Sequence, residues 1–247
     1  MRQTLRRSGQ GVRFMRGLFR LALFVALTSV AHGQSLKLER GWKFLADTSG
    51  MLNPQNATRA EGWRDARVGL SWNAQFADLR DYMGVAWYRM EFDAPQLTAG
   101  RRAILRFGAV DYFAEVFVNG QRVGEHEGGY TPFQLDVTDK LRPGANELLV
   151  RVVDPPMDEK ENRARFPETL YKEIPHGKQN WYVQTGGIWQ PVWLDVKPRE
   201  HIKALKITPR SDGNLQVLVV SNAHLGPPPP ALAPPARTTA SQPRPQP

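Results

Sequence analysis

Asn119-Gly120, Gly128-Gly129 and Pro143-Gly144 punctuate one short stretch of the chain, with brief apolar segments between them. A chain reversed this often leaves no room for the long crossovers that parallel strands need. It is committed to short antiparallel strands. Asn-Gly supplies the two positive-φ positions of a type I′ hairpin turn, so "AEVFV" (Ala114–Val118) and "QRVGE" (Gln121–Glu125) are predicted to pair. "LRPGAN" offers a type II turn, with Pro143 second and Gly144 third. The glycines at 128–129 let the chain reverse, after which Tyr130 and Phe133 are expected to pack inward.

The segments between turns alternate with period two. "VAWYRMEF" (Val85–Phe92) places Tyr88, Met90 and Phe92 on one face, and "ELLVRVV" does the same with Leu148, Val150 and Val152. "RAILRF" (Arg102–Phe107), "FQLDV" (Phe133–Val137) and "WQPVWLDV" (Trp189–Val196) read as further strands, with Pro191 marking an edge or a bulge. No helical period longer than about two turns occurs in this body. Many short strands, each hiding one apolar face, describe two packed antiparallel sheets. "KALKITP" and "LQVLVVS", joined through Ser211-Asp212-Gly213, open a second unit. Two strands alone cannot bury a core.

Both ends differ from this body. The net charge of +9 invites a nucleic-acid reading, but six arginines and no acid fall in the first 33 residues. Without them 33 basic residues drop to 27 against 24 acidic ones, and the excess nearly vanishes. The apolar run Leu21–Val30 and the small residues Ala31 and Gly33 before Gln34 fit a secretory leader. The run is too short for a stable spanning helix. The expectation is export to the periplasm or medium, with no nucleic-acid partner and no membrane contact after cleavage. Nine of the 20 prolines lie in residues 227–247, a segment expected to be an extended, disordered tail, with the composition of out-of-frame translation of GC-rich DNA. Cysteine is absent, which excludes disulfides and thiolate metal sites.

The order "WYRMEF", "LRFGAVDYFAEVFVNGQRVGEHEGGYTPFQLDVTDKLRPGANELLVRVVD" and "HGKQNWYVQTGGIWQPVWLDV" resembles the N-terminal sugar-binding domain of glycoside hydrolase family 2, the β-galactosidases, β-glucuronidases and β-mannosidases. The resemblance implies an all-β, galactose-binding-like jelly-roll sandwich over residues 34–198. It also implies the first strands of an incomplete immunoglobulin-like β-sandwich over 199–223, ahead of the tail at 224–247. In that family a (β/α)8 barrel partner carries the two catalytic glutamates, which a retaining mechanism places roughly 5–5.5 Å apart. Nothing in these residues corresponds to the barrel, so none inherits a catalytic role. The expectation is a binding part that hydrolyses no glycoside alone. A free-standing carbohydrate-binding module and a truncated product without function are the alternatives.

Within the resemblance, the loop before "GGIWQ" reaches the barrel's sugar pocket. Lys178, Gln179 and Asn180 offer donors and acceptors for sugar hydroxyls, and Trp181 offers a flat face for a pyranose ring or, equally, core packing. Some relatives carry an aspartate near Asn180-Trp181, a departure that leaves the preferred sugar open. Arg80 and Asp81, in "SWNAQFADLRDYMG", are candidates for the same face, against the plainer reading of a surface loop. Trp189 and Trp193 are read as core, and "DPPMDEKENR" (154–163) as a solvated loop. His126 lacks a second histidine at the spacing a zinc site needs. No cofactor is expected and the sequence locates no metal site, a structural calcium held by jelly-roll loops being left open.

Overall fold

The computed structural model describes residues 33–170, 172 and 185–223. The chain divides between Pro198 and Arg199 into two compact units. In the first, ten strands follow in order: β1 (Gln34–Lys37), β2 (Lys43–Asp47), β3 (Arg64–Asp65), β4 (Gly84–Ala94), β5 (Arg101–Phe107), β6 (Phe113–Val118), β7 (Gln121–Glu127), β8 (Phe133–Asp136), β9 (Gly144–Asp154) and β10 (Val192–Pro198). They form a four-stranded sheet, β1-β10-β5-β8, and a six-stranded sheet, β3-β2-β4-β9-β6-β7. Every pairing is antiparallel. Among the described residues three short α-helices accompany them: α1 (Pro54–Ala57), α2 (Trp72–Gln75) and α3 (Glu159–Arg165).

The predicted hairpin is β6–β7, with φ of 52° at Asn119 and 76° at Gly120. Asn119 does more than turn the chain. Its side-chain amide donates to Lys140 O at 2.7 Å and to Asn146 Oδ1 at 2.8 Å, and its oxygen accepts from Glu147 N at 3.1 Å. Asn146, buried, donates back to the carbonyls of Arg142 and Gly144. Two asparagines thus tie the hairpin tip to the turn that starts β9.

Between the sheets lie the residues that the alternation pointed to. Tyr88, Met90 and Phe92 of β4 and Leu148, Val150 and Val152 of β9 meet Leu105, Phe107, Val192 and Leu194 from the opposite sheet. Burying such a side chain contributes about 1.5–3 kcal/mol. The six-stranded sheet also buries its other face. Trp87, Leu149, Val153, Phe113 and Phe117 form a second core under Ala57 of α1 and Phe166 at the end of α3. That explains why "ELLVRVV" is apolar at almost every position rather than at alternate ones.

Four local expectations are corrected. Pro191 marks neither an edge nor a bulge: β10 pairs on both sides, and Pro191 sits just ahead of it, where its missing N–H costs no ladder bond. The segment 154–163 is not a solvated loop. Asp154 ends β9 buried, Asp158 caps α3 by accepting from Glu161 N at 2.8 Å, and Asn162 inside the helix is fully buried. Trp193 is half-buried on the outer face, with the Arg106 guanidinium 3.9 Å above its ring. Tyr130 points outward, 62% exposed, and only Phe133 turns inward.

The second unit is a two-stranded antiparallel sheet, β11 (Ile202–Pro209) with β12 (Leu215–Ser221). The register pairs Leu205 with Val219 and Ile207 with Val217. Cross-strand partners share a face, so one face is apolar, and its side chains are exposed.

Candidate functional site: one end of the sandwich

The loop 71–84 is fixed by an aromatic chain running out of the core. Tyr88 meets Phe44 at 5.2 Å between ring centroids, Phe44 meets Trp72 at 5.9 Å, and Trp72 meets Tyr82 at 5.9 Å. Each such pair adds about 0.5–1.5 kcal/mol beyond burial. Ser71 caps α2 by accepting from Ala74 N. The Asn73 amide nitrogen is within donating reach of the carbonyls of Leu79, Arg80 and Tyr82, at 3.0–3.2 Å. Its oxygen accepts from Gly186 N at 2.8 Å. One buried asparagine therefore shapes the loop and docks the "GGI" segment against it.

Gly186-Gly187 threads a slot with no space for a side chain. A Cβ on Gly186 would collide with the Trp72 ring and lie 2.7 Å from Asp154 Oδ2. Gly187, at φ 109°, exchanges backbone hydrogen bonds with Asp111 at 2.8 and 2.9 Å. The Asp111 carboxylate accepts from the Thr185 hydroxyl at 3.0 Å and packs against Gly129, where a Cβ would lie 2.7 Å from its Cγ. Burial raises the Asp111 carboxyl to about 6, with the Thr185 bond opposing. Beyond Gly129, Tyr130 meets the half-buried Trp189 edge-on at 5.5 Å, and the Trp189 indole donates to Gly129 O at 2.7 Å. Trp189 is thus a buttress of this end and not a core residue. His126 stacks on Phe133 at 4.3 Å, and burial lowers its pKa.

Ser71, Asn73, Gln75, Arg80 and Thr185 line an open depression of about 540 Å³ at this end. The exposed Arg80 guanidinium and the Ser71 and Thr185 hydroxyls are the groups here that suit sugar hydroxyls, whereas the Asn73 and Gln75 amides are already engaged by the backbone of the loop. Of the sequence candidates, Arg80 lines it. Asp81 is exposed and outside its lining. Lys178, Gln179, Asn180 and Trp181 lie outside the described residues. Asn73, Asp111 and Thr185 escaped the sequence reading, because an isolated polar residue next to an apolar run carries no spacing signal. Among the described residues no group of three or more histidine, aspartate or glutamate side chains is placed to hold a metal.

Residues 71–193 match the family described as "Glycosyl hydrolase 2 galactose-binding domain-like". They belong to the N-terminal, galactose-binding-like domain of glycoside hydrolase family 2. This family 2 domain is 38% identical over 123 residues to a β-galactosidase of Thermoanaerobacter pseudethanolicus, covering 50% of this chain and 15% of that one. It is 30% identical over 146 residues to a β-glucuronidase of Streptococcus agalactiae, covering 56% of this chain and 24% of the relative. A solved β-glucuronidase from an uncultured Clostridium species superposes with a TM-score of 0.60 at 27% identity, over 78% of this chain and 34% of that one. The chain thus spans less than a quarter of the two curated relatives' lengths, and it matches their N-terminal portion.

Proposed function

We propose that this chain is the non-catalytic, sugar-binding N-terminal portion of an exported family 2 glycoside hydrolase whose whole form acts on terminal β-linked sugars. The observation that carries the reading is the placement of Arg80 and Thr185 in one open depression, whose wall Asn73 holds by docking the Gly186-Gly187 segment against the loop. Relatives named β-galactosidase and β-glucuronidase support the substrate class. The two carboxylates of a retaining glycosidase belong, in this reading, to a barrel beyond these residues. The sandwich supplies one wall of the pocket and hydrogen bonds that orient the terminal sugar. Lys178, Gln179, Asn180 and Trp181, just before Thr185 in sequence, are proposed as further contacts. The basic leader and the apolar run that follows it support export, with cleavage before Gln34. The sandwich then occupies 34–198, the opening strands of the second domain 199–223, and the proline-rich tail 224–247.

The test is an assay of the purified chain on chromogenic β-galactoside, β-glucuronide and β-mannoside, with calorimetric titration of galactose and glucuronate alongside. No turnover, with sugar binding weakened by Arg80→Ala, is the expected result. Turnover above the buffer blank overturns the non-catalytic assignment. Sugar binding that ignores both Arg80→Ala and Asn73→Ser overturns the site.

A further inference from the structure

The far end of the same sandwich holds a second cavity, unlike the first in chemistry. The segment Ala94–Arg101, with Thr138 and Leu141–Gly144, lines a half-open cavity of about 650 Å³. The eleven residues of β4 separate this end from the Arg80 depression by roughly 30 Å. The volume lies within the range of small-molecule sites, about 300–1,000 Å³. Ala94, Leu97 and Leu141 form an apolar floor continuous with the main core. Two cations, Arg101 and Arg142, line the cavity, and no acidic residue does.

Arg101 is the telling residue. Its Nη1 is buried and has no hydrogen-bond partner. Leaving a buried charged donor unmet is costly, so such a group is expected to find an acceptor. Asp136, two residues before the lining Thr138, is already engaged: it pairs with Arg102 and accepts from Thr138 N and Oγ1. Neither Arg101 nor Arg142 makes an ion pair among the described residues. An arginine lining a cavity with an apolar floor matches a ligand with a two-oxygen anionic head and a hydrophobic body.

We propose that this cavity binds a small organic carboxylate, its carboxylate seated on the Arg101 guanidinium and its apolar body against Leu97 and Leu141. Arg142, exposed at the rim, adds a second positive charge. The site is independent of the sugar-binding reading and stands or falls separately from it.

The experiment titrates the full chain with benzoate, followed by amide chemical shifts, with benzamide as the neutral isostere and inorganic phosphate as the charge without an apolar body. Benzoate is expected to bind saturably, with a dissociation constant on the order of 1 mM and shifts confined to residues 94–101 and 138–144. Benzamide and phosphate are expected to bind at least about tenfold more weakly. Arg101→Met is expected to weaken benzoate by about tenfold or more while keeping or raising the melting temperature, because it removes an unmet buried donor. Arg142→Met is expected to weaken benzoate by about threefold and to leave the fold intact, which keeps the test decisive if Arg101→Met fails to fold. Equal binding of benzamide, shifts elsewhere, no saturation, or benzoate affinity unchanged in either variant would overturn the proposal.

Discussion

Three residues at the candidate sugar site show how little freedom it has. Gly186 stands where any side chain meets the Trp72 ring and the Asp154 carboxylate. Gly186→Ala is therefore expected to cost about 2–3 kcal/mol in denaturant unfolding, by forcing α2 off the core. Gly129→Ala should cost less, because the group it strikes is the end of the Asp111 side chain, which can rotate. Asp111 itself makes stability depend on pH. Its folded-state value of about 6 stands above the unfolded value near 3.8, so the folded state holds the proton more tightly. The contribution is full below pH 4, is lost as pH rises from 4 through 6, and stays lost above. Asp111→Asn keeps the shape and never ionises. Its melting temperature relative to the unmodified protein should rise between pH 4 and pH 7, and a constant difference would refute the assignment. None of this was legible in the sequence, where Asp111 is one acid between Val110 and Tyr112. Gly186-Gly187 was legible as a motif, and its reason, a slot between the Trp72 and Tyr88 rings and the Asp154 carboxylate, needed the fold.

Turn chemistry at the level of strands and hairpins could be read directly. Asn-Gly fixed the β6–β7 turn because few dipeptides tolerate two positive-φ residues in succession. Asn119→Ala should lower stability by about 2–3 kcal/mol, since it strains the turn and strands the Glu147 amide and the Asn146 side chain together. A loss under about 0.5 kcal/mol would show that the asparagine pair is incidental. The second core was harder to foresee. A run such as Leu148–Val153 has the same appearance whether a strand is buried on one face or on two, and the covering elements, α1 and α3, are too short to show helical periodicity. Trp193 misled for a related reason. A tryptophan in a strand looks like core, yet the Arg106 stacked on it comes from a neighbouring strand far away in sequence.

For the molecule as a whole, the two units differ in how well they cover themselves. The first unit buries most of its apolar residues in two cores, whereas the β11–β12 hairpin leaves Leu205, Ile207, Leu215 and Val217 more than half exposed on one face. An apolar sheet face of this kind drives association. Sedimentation velocity is expected to show concentration-dependent self-association, which Ile207→Lys with Val217→Lys should abolish. A single monomer boundary at high concentration would sink the prediction. The central strands of the first unit face the opposite situation. Residues 85–90 of β4 and 148–153 of β9 are paired on both sides and covered on both faces, so solvent reaches their peptide groups only when the whole sandwich opens. In deuterated buffer their amide protons become a clock for global unfolding, and the slowest of them reports the full free energy of the fold, while β3, β7 and the sheet edges exchange through small local openings.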